Sequence, residues 1–398
     1  MTFSVVDAMH MAQALRLAER GLYTTHPNPR VGCVIAHGER VVGQGWHERA
    51  GGPHAEVHAL REAGEQARGA TAYVTLEPCA HYGRTPPCAD ALIAAGVSRV
   101  VIAAEDPFPQ VAGKGIEKLR AAGIAVESGL MREAAREINI GFFSRIERQR
   151  PWVRVKLAMS LDGRTALANG ESKWITGEAA RADVQRWRAR SSAILTGAGT
   201  VLADNPQLTV RLPSATGGES GHTVPPTRVI LDRQLRTPAG SHVLDGQTPT
   251  LVLHAASAQA SDDRFAKVER VAMPEQGDAL DLRTVLGLLA GRHCNELHVE
   301  AGPTLCGALF AAGLADELLL YIAPLLLGDH ARPLMHLPSL TEMATRWSLR
   351  VVDQRQLGND WRLQFVPRSR HRAKSMPIFP KCLPASMCSN AAGSASKP

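Results

Sequence analysis

Hydrophobic and polar residues follow two different spacings along residues 1–145, and these spacings predict the secondary structure. Apolar residues three or four positions apart, closed by glycine, predict helices over residues 7–21, 54–69 and 89–96. Short apolar runs predict strands over residues 31–36, 41–43, 72–76 and 100–104. Strands that alternate with helices are typical of a sheet covered by helices on both faces.

A second set of strand-like runs follows a charged segment that ends in proline. These predicted strands cover residues 152–158, 193–196, 228–231, 250–253 and 296–299. A chain of 398 residues exceeds the usual size of a single hydrophobic core. We therefore expect an α/β protein with a first domain over 1–146, a linker over 147–151 and a second domain over 152–366. Residues 213–226, rich in Gly, Ser and Pro, predict a surface loop.

The C-terminal segment, residues 367–398, has a different composition from the rest of the chain. It is basic and non-periodic, which predicts a disordered tail. Six of the 45 lysines and arginines lie there and no acidic residue does, so the remainder has 39 basic residues against 38 acidic ones. Binding to a polyanion needs a basic face. Because the predicted domains are nearly neutral, we expect no nucleic-acid partner.

The sequence predicts neither a membrane segment nor a secretory signal. The longest apolar run, Leu318–Leu327, contains Pro324 and is much shorter than the roughly 20 residues that a membrane helix needs. The N-terminus lacks a basic segment followed by an apolar one. The seven cysteines are not part of a small disulfide-rich scaffold. We therefore expect a cytoplasmic protein with no membrane partner.

His54, Glu56, Cys79 and Cys88 form a pattern that is typical of zinc hydrolysis. One histidine and two thiolates fill three positions of a tetrahedral zinc ion and leave the fourth for water, whose pKa the metal lowers from about 15.7 to about 7. Glu56 stands where zinc deaminases place a proton-transferring carboxylate that is not a ligand. Cys88 begins a predicted helix, where the dipole favours the thiolate. The pattern predicts removal of an amino group from a base.

Several alternatives remain open from these residues alone. The cysteines can be ordinary buried thiols, and His54 can be a core histidine. His54 and His58 lie four apart, but the H-E-x-x-H motif needs glutamate directly after the first histidine, and Ala55 stands there. His81 is near enough in sequence to be a fourth ligand of a structural zinc ion. The cysteines also depart from the deaminase pattern, since eight residues separate them instead of two.

Two glycine clusters in the second half, residues 197–200 and 301–307, follow strand-like runs. Backbone N–H groups and a helix N-terminus at such a position can hold phosphate. Neither cluster contains the full G-x-G-x-x-G motif of dinucleotide-binding folds. On this evidence alone, cofactor binding and simple tight turns are equally good interpretations.

Longer segments resemble a known family over roughly residues 1–366. In the first half these segments are Pro27–Val34, Gly45–His47 and Pro78–Cys88, which resemble the deaminase half of the bifunctional riboflavin-biosynthesis family RibD. In the second half they are Lys156–Arg164, Trp174–Gly177, Gly199–Arg211 and Glu300–Leu305, which resemble its reductase half. The resemblance implies a cytidine-deaminase-like three-layer αβα domain followed by a dihydrofolate-reductase-like domain.

The resemblance also implies the reactions and the ligands. The substrate would be a phosphorylated small molecule, 2,5-diamino-6-(5-phosphoribosylamino)pyrimidin-4-one. Its ring amino group would be hydrolysed with one zinc ion per chain, and its ribosyl group would then be reduced by NADPH to give 5-amino-6-(5-phosphoribitylamino)uracil. We expect a homo-oligomer. A deaminase of tRNA or nucleosides would leave residues 152–366 unexplained, and a non-catalytic binding protein would not need the His-Glu-Cys-Cys set.

The family pattern assigns site residues to each half. Zinc ligands would be His54, Cys79 and Cys88, with Glu56 catalytic. The deaminase pocket would be lined by Asn28, His47, His81, Arg84 and Asp106, with Arg84 near the ribose phosphate. NADPH contacts would come from Ala158, Trp174, Thr200, Asp204, Gly302, Pro303, Thr304, Leu305, Cys306, Gly307 and Ala308. Reductase substrate contacts would come from Ser172, Arg188, Leu208, Arg211 and Glu300. Guanidinium groups pair bidentately with phosphate, so Arg188 and Arg211 suit a phosphate clamp.

Overall fold

The computed structural model describes residues 3–80, 86–109, 111–212 and 223–368. Its α-helices, numbered along the chain, are α1 (Val5–Glu19), α2 (Ala55–Ala63), α3 (Cys88–Ala95), α4 (Lys114–Ala121), α5 (Arg132–Ile138), α6 (Ile140–Arg148), α7 (Glu178–Ala189), α8 (Ala198–Asp204), α9 (Leu282–Gly291) and α10 (Pro303–Ala311). Short 3-10 helices cover Gly64–Ala67, His242–Leu244 and Met343–Thr345.

The strands form two large sheets and two short pairs. They are β1 (Gly32–His37), β2 (Arg40–Trp46), β3 (Thr71–Leu76), β4 (Arg99–Ala104), β5 (Ala125–Ser128), β6 (Trp152–Ser160), β7 (Arg164–Ala166), β8 (Ala193–Gly197), β9 (Thr227–Leu231), β10 (Thr250–Ala255), β11 (Glu269–Met273), β12 (Glu275–Gln276), β13 (Ala279–Leu280), β14 (Glu296–Val299), β15 (Glu317–Ala323), β16 (Arg332–Pro333), β17 (Leu349–Leu357) and β18 (Asp360–Pro367).

The first sheet has the order β2-β1-β3-β4-β5, with β3, β4 and β5 parallel and β1 antiparallel to both of its neighbours. Alternate side chains of its strands enter two separate cores, as the period of two along a strand requires. Ile35 and Ile102 pack with α2, α3 and α4 on one face, while Val34 and Val101 pack with α1 and α6 on the other. The three-layer αβα arrangement expected from the sequence is therefore present.

The second sheet has the order β11-β10-β9-β8-β14-β6-β15-β18-β17. Its first seven strands are parallel, and the hairpin of β17 and β18 adds two antiparallel strands at the β15 edge. One face packs against α9 and α10 through residues such as Leu289 and Leu309. The other packs against α8 through Val201 and against α7 through Val184 and Trp187.

The chain order changes direction between β8 and β14, two neighbours in the second sheet. After β8 the chain continues through α8 to β9 on one side, whereas after β14 it continues through α10 to β15 on the other side. The loops at the carboxyl ends of two such strands separate and leave a crevice, which is where open α/β sheets bind ligands. The two glycine clusters found in the sequence lie where β8 passes into α8 and where β14 passes into α10, at this crevice.

The predicted strands and helices are present, with bounds that differ by a few residues. The helix predicted over 54–69 is α2, which ends at Ala63, followed by the 3-10 helix Gly64–Ala67. β18 extends through Pro367, one residue beyond the expected end of the second domain. Residues 213–222 of the predicted loop, and the predicted tail from Ser369, lie outside the described residues. Among the described helices, none combines the length and the hydropathy that a membrane crossing requires.

Candidate active sites

The first candidate site is built where β3 ends and where α2 and α3 begin. His54 is the N-cap residue of α2, Cys79 follows the end of β3, and Cys88 is the first residue of α3. Nδ1 of His54 lies 3.1 Å from Sγ of Cys88 and 3.6 Å from Sγ of Cys79. The three ligand atoms all lie within 4.8 Å of one another.

The donor set fits a zinc ion. A single imidazole nitrogen and two sulfur atoms at these separations match three corners of a tetrahedral site. The backbone N–H of Cys88, at the start of α3, donates to Sγ of Cys79 over 3.3 Å. Hydrogen bonding from Cys88, and after it from His54, lowers the pKa of the Cys79 thiol to about 4, against the opposing effect of burial. Cys79 therefore favours the thiolate form that a metal needs. The hydrogen bond with Cys79, followed by burial, raises the pKa of the Cys88 thiol well above its usual range.

Glu56 lies in the first turn of α2, two residues after His54, and only 3% of it is exposed. Burial raises the pKa of its carboxyl group. Its Oε2 atom is buried and has no hydrogen-bond partner among the described residues. A buried carboxylate oxygen without a partner is costly unless a ligand or water occupies the place beside it. Glu56 is thus available to transfer a proton.

Two glycines of β2 allow α2 to approach the sheet closely. A Cβ atom on Gly45 would lie 2.6 Å from the carbonyl oxygen of Ala55, and one on Gly43 would lie 2.2 Å from that of Ala59. Any side chain at either position would push α2 outward. The position of His54 and Glu56 therefore depends on these glycines.

Glu77 fixes the segment that carries Cys79, and the sequence analysis did not identify it. Its two carboxylate oxygens accept hydrogen bonds from the backbone N–H groups of Asp106, Gly113, Gly115 and Ile116, over 3.0 to 3.3 Å. These bonds join the end of β3 to the start of α4. A carboxylate held by four N–H groups has no capacity left for a metal, so Glu77 orients its neighbour Cys79 and is not itself a ligand.

A cavity of about 500 Å³ opens beside the cluster, and it is large enough for a small-molecule substrate. Of the expected pocket residues, Asn28, His47 and Asp106 line this cavity. His81 and Arg84 lie outside the described residues. Burial raises the pKa of Asp106 to about 6, and the positive charge of Arg145 works against that rise. The cavity is also lined by residues that the sequence analysis missed, including Phe108, Phe142, Arg145 and His293.

His47 has a defined tautomer. The carbonyl oxygen of Pro53 can only accept, so Nδ1–H of His47 donates to it over 3.0 Å. Nε2 is then the acceptor for the side-chain amide of Asn28 at 3.1 Å. Burial lowers the pKa of His47 to about 4, so the ring is neutral near pH 7. This chain of hydrogen bonds fixes the amide of Asn28 at the cavity.

The second candidate site lies at the crevice between β8 and β14. Gly302 is the N-cap residue of α10, its side-chain position is empty, and Pro303 is the first residue of the helix. The N–H groups of Thr304 and Leu305 in the first turn of α10 suit a phosphate group. Gly307 packs against the chain instead, since a Cβ there would lie 2.0 Å from the carbonyl oxygen of His336. These residues fit the pyrophosphate of a dinucleotide.

The other expected cofactor residues come from several elements of the second half. Thr200 and Asp204 lie on α8, Ala158 lies half-buried on β6, and Trp174 is 70% exposed. The remaining members of the expected set are Leu305, Cys306 and Ala308 on α10, of which Cys306 is fully buried.

The expected reductase substrate residues differ in how open they are to a ligand. Arg188 makes a bidentate ion pair with Glu300 and donates to the carbonyl oxygen of Thr209. Burial alone would raise the pKa of Glu300, but the pair with Arg188 holds it well below its usual range. The guanidinium group of Arg188 is thus already paired with a carboxylate. Arg211 is exposed and has no carboxylate partner among the described residues, which makes it the better phosphate ligand of the two.

Leu208 and Ser172 complete that set. The side chain of Leu208 is only 2% exposed and packs with Val201 of α8 and Ile230 of β9. A ligand can therefore reach only its backbone. Ser172 is half-buried, in the loop between β7 and α7.

Comparison with known proteins identifies both halves of the chain. The family model "Cytidine and deoxycytidylate deaminase zinc-binding region" matches residues 5–104. The family model "RibD C-terminal domain" matches residues 151–363. The domain that contains the first sheet and the His-Cys-Cys cluster is therefore a zinc-dependent deaminase domain. The domain that contains the second sheet is a reductase domain of the dihydrofolate-reductase-like class.

Whole-chain relatives define the family. The riboflavin biosynthesis protein RibD of Escherichia coli (strain K12) is 50% identical over 366 residues, which is 90% of this chain and 99% of the relative. The structure of Acinetobacter baumannii RibD (form 2) is 46% identical, has a TM-score of 0.84, and covers 91% of this chain and 99% of that one. A Thermotoga maritima deaminase/reductase is 33% identical, with a TM-score of 0.80 and the same coverage of both chains. The chain belongs to the RibD family, the bifunctional deaminase and reductase enzymes of riboflavin biosynthesis.

Proposed function

We propose that this chain catalyses two successive steps on one phosphorylated pyrimidine. The first is hydrolysis of the ring amino group of 2,5-diamino-6-(5-phosphoribosylamino)pyrimidin-4-one. The second is NADPH-dependent reduction of the ribosyl group to give 5-amino-6-(5-phosphoribitylamino)uracil. The observation that carries this proposal is the His54–Cys79–Cys88 cluster with the unbonded Oε2 atom of Glu56 beside it, in a chain that also has the reductase crevice.

In the first step, we assign His54, Cys79 and Cys88 as metal ligands. Zinc held there would lower the pKa of water so that hydroxide is available near neutral pH. Glu56 takes a proton from the attacking water and delivers it to the departing amino group, so a C–O bond forms, a C–N bond breaks and ammonia leaves. The raised pKa of a buried carboxyl group suits this exchange, because an efficient proton carrier has a pKa near the working pH.

We take the substrate contacts of the deaminase pocket from the family pattern. We assign Asn28, His47 and Asp106, with His81 and Arg84, to the pyrimidine and its ribose phosphate. For the three residues inside the described part of the chain, the support is that all line one cavity with Glu56. Neutral His47 orients the Asn28 amide, which can then donate to or accept from the ring.

In the second step, the ribosyl carbon in its open imine form is reduced, and the hydride would come from NADPH held by the second half of the chain. We assign Ala158, Trp174, Thr200, Asp204 and the segment Gly302–Ala308 to the cofactor. Arg211, with the Arg188–Glu300 pair, Ser172 and the backbone of Leu208, would hold the substrate. The protein's contribution is mostly positioning and exclusion of water, because the cofactor carries the chemistry.

The direct test is incubation of the purified protein with the phosphorylated diaminopyrimidine, with and without NADPH, and identification of products by mass. We expect the deaminated ribosyl compound without NADPH and the ribityl compound with it. Metal analysis of the same sample should give one zinc ion per chain. Turnover of free cytidine in place of this substrate would favour a nucleoside deaminase and contradict the proposal.

We also propose a cytoplasmic homo-oligomer with a domain boundary near residues 147–151. Five cysteines in the described part of the chain, including Cys33 and Cys294, are unpaired, which suits a reducing compartment. Residues 149–151 connect the end of α6 to β6. Light scattering of the purified protein tests the oligomeric state, and a monomer at micromolar concentration would contradict it.

A further inference from the structure

Arg145 is an arginine at the deaminase cavity with no carboxylate partner among the described residues. It lies on α6, lines the cavity, and donates from Nε to Oδ1 of Asn295 over 2.7 Å. Its two terminal nitrogens make no hydrogen bond within the described part of the chain. Other arginines nearby in the fold are paired with acids, namely Arg30, Arg154 and Arg190 with Glu296, and Arg148 and Arg150 with Asp316. A half-buried cation with only a neutral partner is suited to bind an anion.

His293 brings a second nitrogen-containing side chain to the same cavity, from the other half of the chain. It lies in the turn between α9 and β14, two residues before Asn295, and its side chain is exposed at the cavity. Its φ of 63° is left-handed, a conformation in which glycine usually follows a helix. The turn itself therefore does not require a histidine side chain.

Asn295 connects these groups to the deaminase loop. It is 8% exposed, its Oδ1 accepts from Arg145, and its Nδ2 donates to the carbonyl oxygen of Pro27 over 2.9 Å. Pro27 and Asn28 also line the cavity. The guanidinium of Arg145 is thus fixed relative to the pocket by a residue that precedes β14 of the second sheet.

No carboxylate of the described residues forms an ion pair with Arg145, although its charge partly offsets the rise in the pKa of Asp106. Glu77 is held by four backbone N–H groups, and Oδ1 of Asp106 accepts from the N–H of Phe108 over 2.8 Å. Glu56 lies beside the His54–Cys79–Cys88 cluster. The proposed substrate carries one strong anion, its 5-phosphate, at the end of the molecule away from the ring amino group. Guanidinium groups bind phosphate through two parallel hydrogen bonds.

We infer that Arg145, together with His293, forms a binding site for the phosphate monoester of the substrate in the deaminase cavity. The second half of the chain then completes the active site of the first half. This inference rests on the proposed deaminase function and adds a phosphate contact to the Arg84 assignment.

The test compares two substrates in the full-length, zinc-loaded protein: the phosphorylated diaminopyrimidine and its dephosphorylated riboside. Arg145→Met should raise the deaminase KM for the phosphorylated substrate about tenfold or more, the scale of a lost charge-assisted hydrogen bond. The same substitution should change the deaminase KM for the riboside by less than about twofold. Arg145→Lys should recover part of the loss, and His293→Gly should give a smaller loss with the same selectivity. Arg148→Met, on the exposed side of the same helix, is the matched control and should change neither KM.

An equal loss on both substrates would assign Arg145 a structural role and overturn the inference, as would unchanged KM values. If the wild-type protein deaminates neither substrate, the proposed function fails, and the phosphate site is judged by binding. Ribose 5-phosphate titrated under ³¹P detection should then lose one binding event in Arg145→Met and a different one in Arg211→Ala. Identical titrations of the wild type and Arg145→Met would overturn the inference.

Discussion

Oε2 of Glu56 is buried at the cavity, and no group in the described part of the chain bonds to it. We predict that Glu56→Gln keeps the zinc content and lowers the deamination rate at least about 100-fold, because glutamine has nearly the same volume but cannot accept and release a proton. Ammonia release and metal analysis measure the two effects. Glu62→Gln, an exposed residue on the same helix, is the control. If Glu56→Gln retained full activity, another group would have to carry the proton.

Local sequence identified the metal cluster but not the whole cavity. His54, Cys79 and Cys88 stand within a short stretch of chain, and together with Glu56 they form a pattern that is typical of zinc hydrolysis. Arg145 and His293 are separated by 147 intervening residues, and each alone looks like an ordinary surface residue. Only the packing of α6 against the start of β14 brings them to one cavity, and a single sequence contains no signal for that contact.

At the scale of elements, the packing of β2 against α2 controls the deaminase site. We predict that Gly45→Ala destabilises the protein by about 1–3 kcal/mol, the usual cost of overpacking, because its Cβ would overlap the backbone of α2. Ammonia release should fall, since α2 carries His54 and Glu56, while NADPH-dependent reduction should not.

The matched control is Gly287→Ala, inside α9, where a Cβ would meet no atom within 4 Å. There alanine should stabilise the protein by about 0.4–1 kcal/mol, because it restricts the unfolded chain. Urea unfolding of both variants measures the difference. Equal stability of the two variants would show that α2 can shift without cost.

The strands that the sequence predicted are mostly buried on both faces. β8 begins with the buried apolar run Ala193–Leu195. β14 is buried throughout, but its apolar residues Leu297 and Val299 alternate with Glu296 and His298. β17 was missed because it is an edge strand whose residues are mostly exposed and polar, including Asp353 and Arg355. Edge strands with charged residues are common, since charge discourages pairing with other chains. Hydrophobic pattern alone therefore misses this edge strand. The sequence analysis also did not predict β15, although β15 is an apolar and mostly buried strand inside the sheet.

At the scale of the whole molecule, the two candidate sites lie at different sheets, and we predict that single substitutions separate the two activities. Glu56→Gln should leave reduction of the deaminated intermediate intact. Arg211→Ala should leave ammonia release intact and impair reduction. Each variant is assayed with both substrates, and its fold is checked by circular dichroism. Loss of both activities in a folded variant would contradict two separate sites.

The two sheets nevertheless meet at a buried ionic cluster around Glu296, the first residue of β14. Its carboxylate is 1% exposed in the side chain and pairs with Arg154 and Arg190 of the second half and with Arg30, which precedes β1 of the first sheet. Burial alone would raise the pKa of Glu296, but the three arginines hold it far below its usual range. Gly141 lets α6 approach this point, since a Cβ there would lie 2.5 Å from Cγ of Glu296.

We predict that Glu296→Gln destabilises the protein by about 3–5 kcal/mol at pH 7, because it leaves Arg30 and Arg190 without their carboxylate and Arg154 with Glu317 alone. A carboxylate whose pKa is depressed by folding stabilises the native state above its unfolded pKa, about 4.3, and that contribution is lost as the pH falls. The stability gap between wild type and variant should therefore be largest at neutral pH and narrow progressively below about pH 4.3. Glu269→Gln, which breaks an exposed pair with Arg292, should cost no more than about 1 kcal/mol at any pH. Urea unfolding at several pH values measures the loss of stability in each variant. Equal losses for the two variants would show that the ionic cluster around Glu296 does not stabilise the contact between the two sheets.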